Sequence, residues 1–97
     1  MTPEGELKAK IDRWLNQQLD CYWFKPVQTG FGKRTLDYLI CLKGRFIACE
    51  AKRKGGKAQS FQEELVRKIE AAGGHAFIFD DFDAFVAWMT HLKLEGA

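Results

Sequence analysis

The chain has 97 residues, of which 46% are hydrophobic and 29% are charged, and its formal net charge is only +2. This length supports one domain with a single modest core, so we treat residues 1–97 as one domain. No apolar run approaches the length of a membrane span, and the N-terminus lacks a signal-peptide pattern. We therefore expect a cytoplasmic protein with no membrane partner.

The three cysteines, Cys21, Cys41 and Cys49, form no Cys-x-x-Cys pair, and two of them lie in apolar segments. We expect them to be reduced and buried, as is usual in the cytosol. Zinc is not indicated, because neither His75 nor His91 has a ligand-like spacing to a cysteine.

The first predicted element is an amphipathic helix over residues 3–19, with Thr2 as its N-cap. Its apolar stripe consists of Leu7, Ile11, Trp14, Leu15 and Leu19. Glu4 has the spacing of this stripe, whereas Glu6 does not. Glu4 either supplies favourable charge at the helix N-terminus or is a third carboxylate directed at the site described below.

Residues 21–28 follow as an aromatic-rich strand, in which Pro26 indicates an edge or a bulge. The next stretch, residues 29–34, is a glycine-containing basic loop that ends in Lys33 and Arg34. It has too few glycines to cradle phosphates, so we expect no Walker-type site and no small-molecule substrate. The loop is either a flexible connection or a contact for a nucleic-acid backbone.

The central stretch, residues 37–52, predicts two apolar strands joined by a tight turn at Lys43-Gly44. In that case Leu42 and Arg45 form the pair of residues that flanks the turn. A two- or four-residue loop gives the same facing pairs, whereas a three-residue loop slips the register by one and moves alternate side chains to the other face.

This register places Asp37 opposite Glu50, with Lys52 on the same side of the sheet. Like charges in facing positions destabilise a strand pair, unless they share a hard divalent cation, which prefers oxygen ligands. We therefore predict that Asp37 and Glu50 bind Mg²⁺ or Mn²⁺, with the backbone carbonyl of Ala51 as a further ligand. The ammonium group of Lys52 would reach whatever is bound at the metal.

A second basic loop with Arg53, Lys54 and Lys57 comes directly after this hairpin. A run of charges is usually only solvated surface, but the position of this one beside Lys52 favours contact with phosphates. Together with the earlier basic loop it forms a local positive zone that a polyanion would meet.

Three further elements complete the prediction: a helix over residues 59–72, a buried strand over residues 75–79, and a last helix that begins at an acidic cluster. Gln62 lies on the rim of the apolar stripe of the helix over residues 59–72, where it is either inert or able to orient a phosphate or water. The acidic cluster, Asp80, Asp81 and Asp83, most simply caps the last helix.

Two carboxylates, a lysine, a hard cation and basic loops are the requirements of metal-assisted phosphodiester hydrolysis. Lys52 is predicted to position or deprotonate the attacking water and to stabilise the negative charge that develops on the phosphate. The predicted fold is α/β, with the element order αβββαβα and a mixed sheet flanked by helices.

The spacing Asp37…Glu50-Ala51-Lys52 resembles the PD-(D/E)xK nuclease signature, whose core is the restriction-endonuclease-like fold. Within that superfamily nearly the whole chain resembles the short stand-alone VRR-NUC (virus-type replication-repair nuclease) domain of phages and bacteria. The resembling features are the Glu4-Gly-Glu-Leu start, residues 30–37, residues 45–52, Gln62, and Ala71-Ala-Gly-Gly. One departure is Leu36, which replaces the proline often found before the aspartate.

The resemblance implies metal ligation by Asp37 and Glu50, catalysis by Lys52, a supporting role for Gln62, and Glu4 as the matching helix carboxylate. It also implies a homodimer related to Holliday-junction resolvases that prefers branched or structured DNA. The function we expect is a Mg²⁺- or Mn²⁺-dependent DNA endonuclease, specialised for junctions or flaps. Three alternatives stay open: a symmetric junction resolvase, a non-catalytic DNA-binding module, and a small domain whose acids merely form surface ion pairs.

Overall fold

The structure is a computed structural model and describes residues 1–28 and 32–95. Its three helices are α1 (Pro3–Asn16), α2 (Ser60–Ala71) and α3 (Phe82–Glu95), and its four strands are β1 (Cys21–Phe24), β2 (Tyr38–Leu42), β3 (Arg45–Ala51) and β4 (His75–Phe79). The strands form one sheet in the order β1-β2-β3-β4. The first three strands run antiparallel, and β4 runs parallel to β3. The predicted α/β class and the mixed sheet flanked by helices are confirmed.

The β2–β3 hairpin has the predicted register. Its turn consists of two residues, Lys43 with φ 50° and Gly44 with φ 81°, and Leu42 pairs with Arg45. Positive φ at both turn residues matches the right-handed twist of the flanking strands. Glycine adopts this conformation readily, whereas the lysine is held in it by the turn.

The two faces of the sheet pack into two different cores, and alternating residues of each strand contribute to them. On one face α1 and α3 pack against the strands, and this main core includes Ile11, Tyr38, Ile47, Cys49, Phe79, Phe85 and Met89. On the other face α2 packs against β3 and β4 over a smaller core of Leu36, Ala48 and Ala76, with Leu65, Val66 and Ile69 partly buried against it. Because side chains alternate along a strand, Glu50 shares the α2 face with Ala48.

The hydroxyl of Tyr38 on β2 joins the sheet to α1 by hydrogen bonding. Tyr38 is fully buried, and its hydroxyl donates a hydrogen bond to Asp12 Oδ1 at 2.6 Å. Burial, followed by the hydrogen bond and charge of Asp12, raises the pKa of this phenol, so it stays a neutral donor. The contact sets the position of α1 beside the start of β2, where Lys8 lies one helical turn before Asp12.

The predicted first helix was too long at its C-terminus. It ends at Asn16, and Leu19 is 96% exposed rather than part of the core. The chain turns at this point because it must enter β1, and the carbonyl of Asp20 accepts a hydrogen bond from the backbone of Lys43. The edge strand β1 also ends at Phe24, so Pro26 lies beyond it.

Smaller corrections concern burial. Cys41, on the α2 face of the sheet, is exposed and Cys21 is half-buried, whereas Cys49 is buried as expected. Ala72, predicted as the last apolar residue of the second helix's core stripe, lies beyond the end of α2 and is also exposed. Part of the predicted first basic loop, residues 29–31, lies outside the described residues.

Within the described ranges, none of the helices combines the length and apolar character that crossing a membrane requires.

Candidate functional site

Asp37 and Glu50 meet at the open end of the β2–β3 hairpin. Asp37 stands immediately before β2, and its backbone N–H donates to Glu50 Oε1 at 2.9 Å. In return, the backbone N–H of Ala51 donates to Asp37 Oδ2 at 3.3 Å. These reciprocal bonds hold both carboxyl groups at one place beside the backbone of Ala51.

The surroundings of Glu50 disfavour its charge. Glu50 is only 7% exposed. Burial raises its pKa to about 7, and the charge of Asp37 adds to the rise, while the Asp37 N–H and the charge of Lys52 oppose it. A buried carboxyl with a strongly raised pKa next to a second carboxyl is typical of a functional site.

Lys52 completes the predicted trio. Its Nζ lies 3.8 Å from Glu50 Oε2, and its side chain is 16% exposed. Although β3 ends at Ala51, the backbone N–H of Lys52 donates to the carbonyl of Phe79 at 2.8 Å. The parallel β4 strand therefore keeps Lys52 in the extended conformation that brings its ammonium group back to Glu50.

Lys8 belongs to the same cluster, although it was not predicted as a site residue. Its Nζ lies 3.5 Å from Asp37 Oδ2 and 3.2 Å from Glu4 Oε2. Burial acts to lower the pKa of Lys8, but the combined effects of Asp37 and Glu4 outweigh it and raise the pKa. The only signal in the sequence was the Glu4–Lys8 spacing of one helical turn, which ordinarily indicates a local surface pair.

Of the two candidate carboxylates on α1, Glu4 is the one on the side of the site. It reaches Asp37 indirectly, through the ammonium group of Lys8. Glu6 is exposed and lines a different depression beside Lys10 and Asp80. Glu4 therefore contributes charge to the cluster, while its direct partner in this structure is Lys8.

The donors beside Asp37 fit a hard cation. The side chains of Asp37 and Glu50 supply oxygen donors here, while Ala51 contacts Asp37 through its backbone N–H and not through the predicted carbonyl. Across residues 1–28 and 32–95 no group of three or more His, Cys, Asp or Glu side chains is placed to hold a metal ion. Mg²⁺ suits such an incomplete set, because it usually keeps several waters.

Gln62 is more buried than its predicted place on the rim of α2. It is 5% exposed, and its Oε1 accepts a hydrogen bond from the backbone N–H of Gln59 at 2.9 Å. This bond fixes the first turn of α2, in the manner of a capping box. The contact that Gln62 Oε1 makes therefore stabilises the start of α2.

The predicted phosphate-contacting residues lie in two exposed segments on either side of the acids. Lys33 and Arg34 precede Asp37, and the Arg34 guanidinium stacks on Phe61 with 3.5 Å to the ring centre. Arg53, Lys54 and Lys57 follow Lys52 and are exposed as well.

The acidic cluster before α3 has divided roles. Asp81 Oδ2 caps the helix by accepting from the N–H of Ala84 at 2.9 Å. Asp80 instead accepts from the backbone N–H of Gly55 at 2.9 Å, and so anchors the second basic loop.

No protein-family model, curated protein or solved structure matches this chain. The functional assignment therefore depends on the geometry of Asp37, Glu50, Lys52 and Lys8.

Proposed function

We propose that this protein is a divalent-metal-dependent endonuclease that hydrolyses DNA phosphodiester bonds on a PD-(D/E)xK-type core, as its resemblance to VRR-NUC domains implies. The observation that carries the proposal is the pairing of Asp37 with buried Glu50, with the ammonium group of Lys52 3.8 Å from Glu50. A fold that needed only stability would gain little from two adjacent carboxyl groups, because each disfavours the charge of the other.

Asp37, Glu50 and the Ala51 carbonyl would hold Mg²⁺ or Mn²⁺. When bound there, the cation lowers the pKa of a water and offsets negative charge on the phosphate. Of the chain's own groups, Glu50 takes part as a carboxylate only after losing the proton that its surroundings favour. Asp37 is oriented for the same task by the N–H of Ala51.

Lys52 supplies a positive charge beside Glu50. Its ammonium group, already 3.8 Å from Glu50, is placed to orient the attacking water and to stabilise the charge that develops on the phosphate. Lys8 occupies the opposite side of the pair beside Asp37, where it offers a second cation to a phosphate oxygen. Arg53 and Lys54 continue the positive surface along the DNA backbone.

The finer parts of the proposal are the preference for branched or flap DNA and the assembly as a homodimer. Both come from the family resemblance. Symmetric cleavage of a four-way junction by a dimer would identify a resolvase.

The first test is cleavage of supercoiled plasmid, a synthetic flap and a four-way junction with Mg²⁺, with Mn²⁺ and with chelator. We expect metal-dependent cleavage that falls about 10²-fold or more in Asp37→Asn and in Lys52→Ala. In thermal-shift measurements Mn²⁺ should stabilise Lys52→Ala but no longer stabilise Asp37→Asn.

Asp20→Asn and Lys10→Ala are matched controls, because both residues are exposed and neither belongs to the cluster. They should cleave like the wild type. DNA binding without cleavage by the wild type would instead identify a non-catalytic module, in which Lys8 and Lys52 simply neutralise the acids.

A further inference from the structure

A cleft of about 660 Å³ lies at the other end of the hairpin from the acids. It opens between α2 and the β2–β3 turn. Its floor is apolar and includes Phe46, Leu65 and Ile69. Of the residues that line it, only Lys33 was predicted from the sequence to contact DNA, whereas Phe46 was expected only to be an apolar residue of a strand.

Phe46 presents a fixed aromatic surface to this cleft. The residue is 47% exposed, although it lies on β3, which is a central strand of the sheet. A Cβ on Gly74 would lie 3.1 Å from a Phe46 ring carbon and 2.9 Å from Ile69, so the backbone of Gly74 supports the ring closely from one side. The remaining surface of the ring is available to a planar partner.

The cleft and the acids share one face of the sheet. Phe46, Ala48 and Glu50 alternate along β3 on the side toward α2. Glu50 lies four positions after Phe46, which is about 13 Å along a strand. A DNA strand whose phosphate lies at the acids can therefore place a base only a few nucleotides away in the cleft.

The charge of the cleft matches a phosphate backbone. Lys33, Arg45 and Lys68 line it, and none of its lining side chains is acidic. Arg45 pairs with Glu95 at 3.5 Å and Lys68 with Glu64 at 3.3 Å, but both pairs are at the surface. Such ion pairs contribute little, so phosphates compete for these cations at little cost.

We propose that this cleft binds an unpaired nucleotide of the DNA substrate, with its base against Phe46 and the adjoining phosphates at Lys33, Arg45 and Lys68. The inference rests on the proposed nuclease function and specifies its substrate as DNA with a single-stranded stretch beside the cleaved bond. An aromatic platform inside a positive groove is the usual device for holding single strands without sequence preference.

The charge of the cleft also distinguishes this occupant from a second copy of the chain. A two-fold contact centred here would bring Lys33, Arg45 and Lys68 of each copy together, with only Glu64 and Glu95 beside them to offset that charge. Nucleic acid neutralises that charge instead.

The test is binding of a fluorescent oligothymidine about ten nucleotides long, and of a blunt duplex of equal length, in chelator. Phe46→Leu should weaken single-strand binding by about 5- to 100-fold and leave duplex binding unchanged, since leucine keeps the apolar floor but cannot stack. Phe46→Trp should retain the affinity. Lys68→Gln should weaken binding, whereas Lys10→Gln, on an exposed part of α1, should not.

Cleavage then links the cleft to the reaction. With Mn²⁺ the wild type should prefer a duplex with a single-stranded arm over a blunt one, and Phe46→Leu should lose that preference. If Phe46→Leu binds oligothymidine like the wild type, the cleft assignment is wrong, while metal-dependent cleavage would still support the nuclease. A fall in sedimentation coefficient of Phe46→Leu, with unchanged DNA binding, would assign the cleft to a second copy and overturn the proposal.

If the wild type does not cleave DNA but binds oligothymidine through Phe46, the nuclease proposal is wrong and only the single-strand site is supported. The two proposals therefore fail in distinguishable ways.

Discussion

Glu50 illustrates how position changes the chemistry of one side chain. In the folded protein its pKa rises from 4.5 to about 7, chiefly through burial and next through the charge of Asp37. Between these two pH values the folded protein keeps a proton that the unfolded chain has lost. The free energy of unfolding therefore falls as pH rises through this window, and it stays lower above pH 7.

Removing this charge should stabilise the metal-free protein. We expect Glu50→Gln to raise the free energy of unfolding by about 1–3 kcal/mol above the folded pKa, and by much less when Glu50 is protonated in both states. Urea unfolding at several pH values measures the difference. Glu70→Gln, at an exposed site on α2, is the control and should show no such pH dependence. An effect of Glu50→Gln that is equal at all pH values would contradict the assignment of the raised pKa.

Which site residues the sequence could predict depends on how each one is connected to the others. The meeting of Asp37 and Glu50 follows from a two-residue turn, because strand parity alone then decides which side chains share a face. Lys8 is separated from Asp37 by almost thirty positions, and no local pattern relates them. Its place depends on how α1 docks, which is a property of the packed core.

At the scale of elements, the docking of α1 on β2 depends on a buried polar contact. The Tyr38 hydroxyl donates to Asp12 Oδ1 at 2.6 Å, and Lys25 lies 2.7 Å from the other oxygen of that carboxylate. Burial makes the phenol a stronger attachment than a surface hydroxyl, because the buried hydroxyl would not regain water easily if the bond to the half-buried Asp12 were broken.

Tyr38→Phe should therefore lower the free energy of unfolding by about 1–2 kcal/mol, because it leaves the apolar ring in place and removes only the hydrogen bond. Tyr22→Phe is the matched control, since Tyr22 is 72% exposed on the edge strand. That change should stay within about 0.5 kcal/mol. Equal effects of the two substitutions would show that the Asp12 contact does not hold α1 to the sheet.

The elements themselves were predicted unevenly. The hairpin, β4 and α2 were found because their apolar residues keep a strict period between glycine-containing turns. The end of α1 was missed because Leu19 continues the helical period, whereas the pairing of β1 with β2 requires the chain to turn earlier. Gln62 was placed on the rim because a polar residue is normally exposed, and its capping bond explains why it is buried.

For the whole molecule, the distribution of charge matters more than its sum. The formal net charge is only +2, yet five cations lie in the two segments that flank the acids, namely Lys33, Arg34, Arg53, Lys54 and Lys57. Asp80 holds the second of these segments through Gly55. A local positive surface attracts DNA although the protein as a whole is nearly neutral.

Salt dependence of duplex binding should reveal this surface. If all five cations meet phosphates, the plot of log K against log salt should have a slope of about −4 to −5. Arg53→Gln with Lys54→Gln should make it shallower by about 2. Arg13→Gln with Lys10→Gln removes the same charge from exposed positions on α1 and should leave the slope unchanged. Equal changes in both double variants would indicate a diffuse field instead of a defined path.

The ammonium group of Lys8 beside Asp37 affects whether folding has to wait for metal binding. Many small metalloproteins stay unfolded until their ion arrives, because only the ion can bring the ligands together. This chain carries an internal counterion, so its two acids are held together without an ion. If the proposed metal site exists, chelation should abolish cleavage reversibly and leave the protein folded.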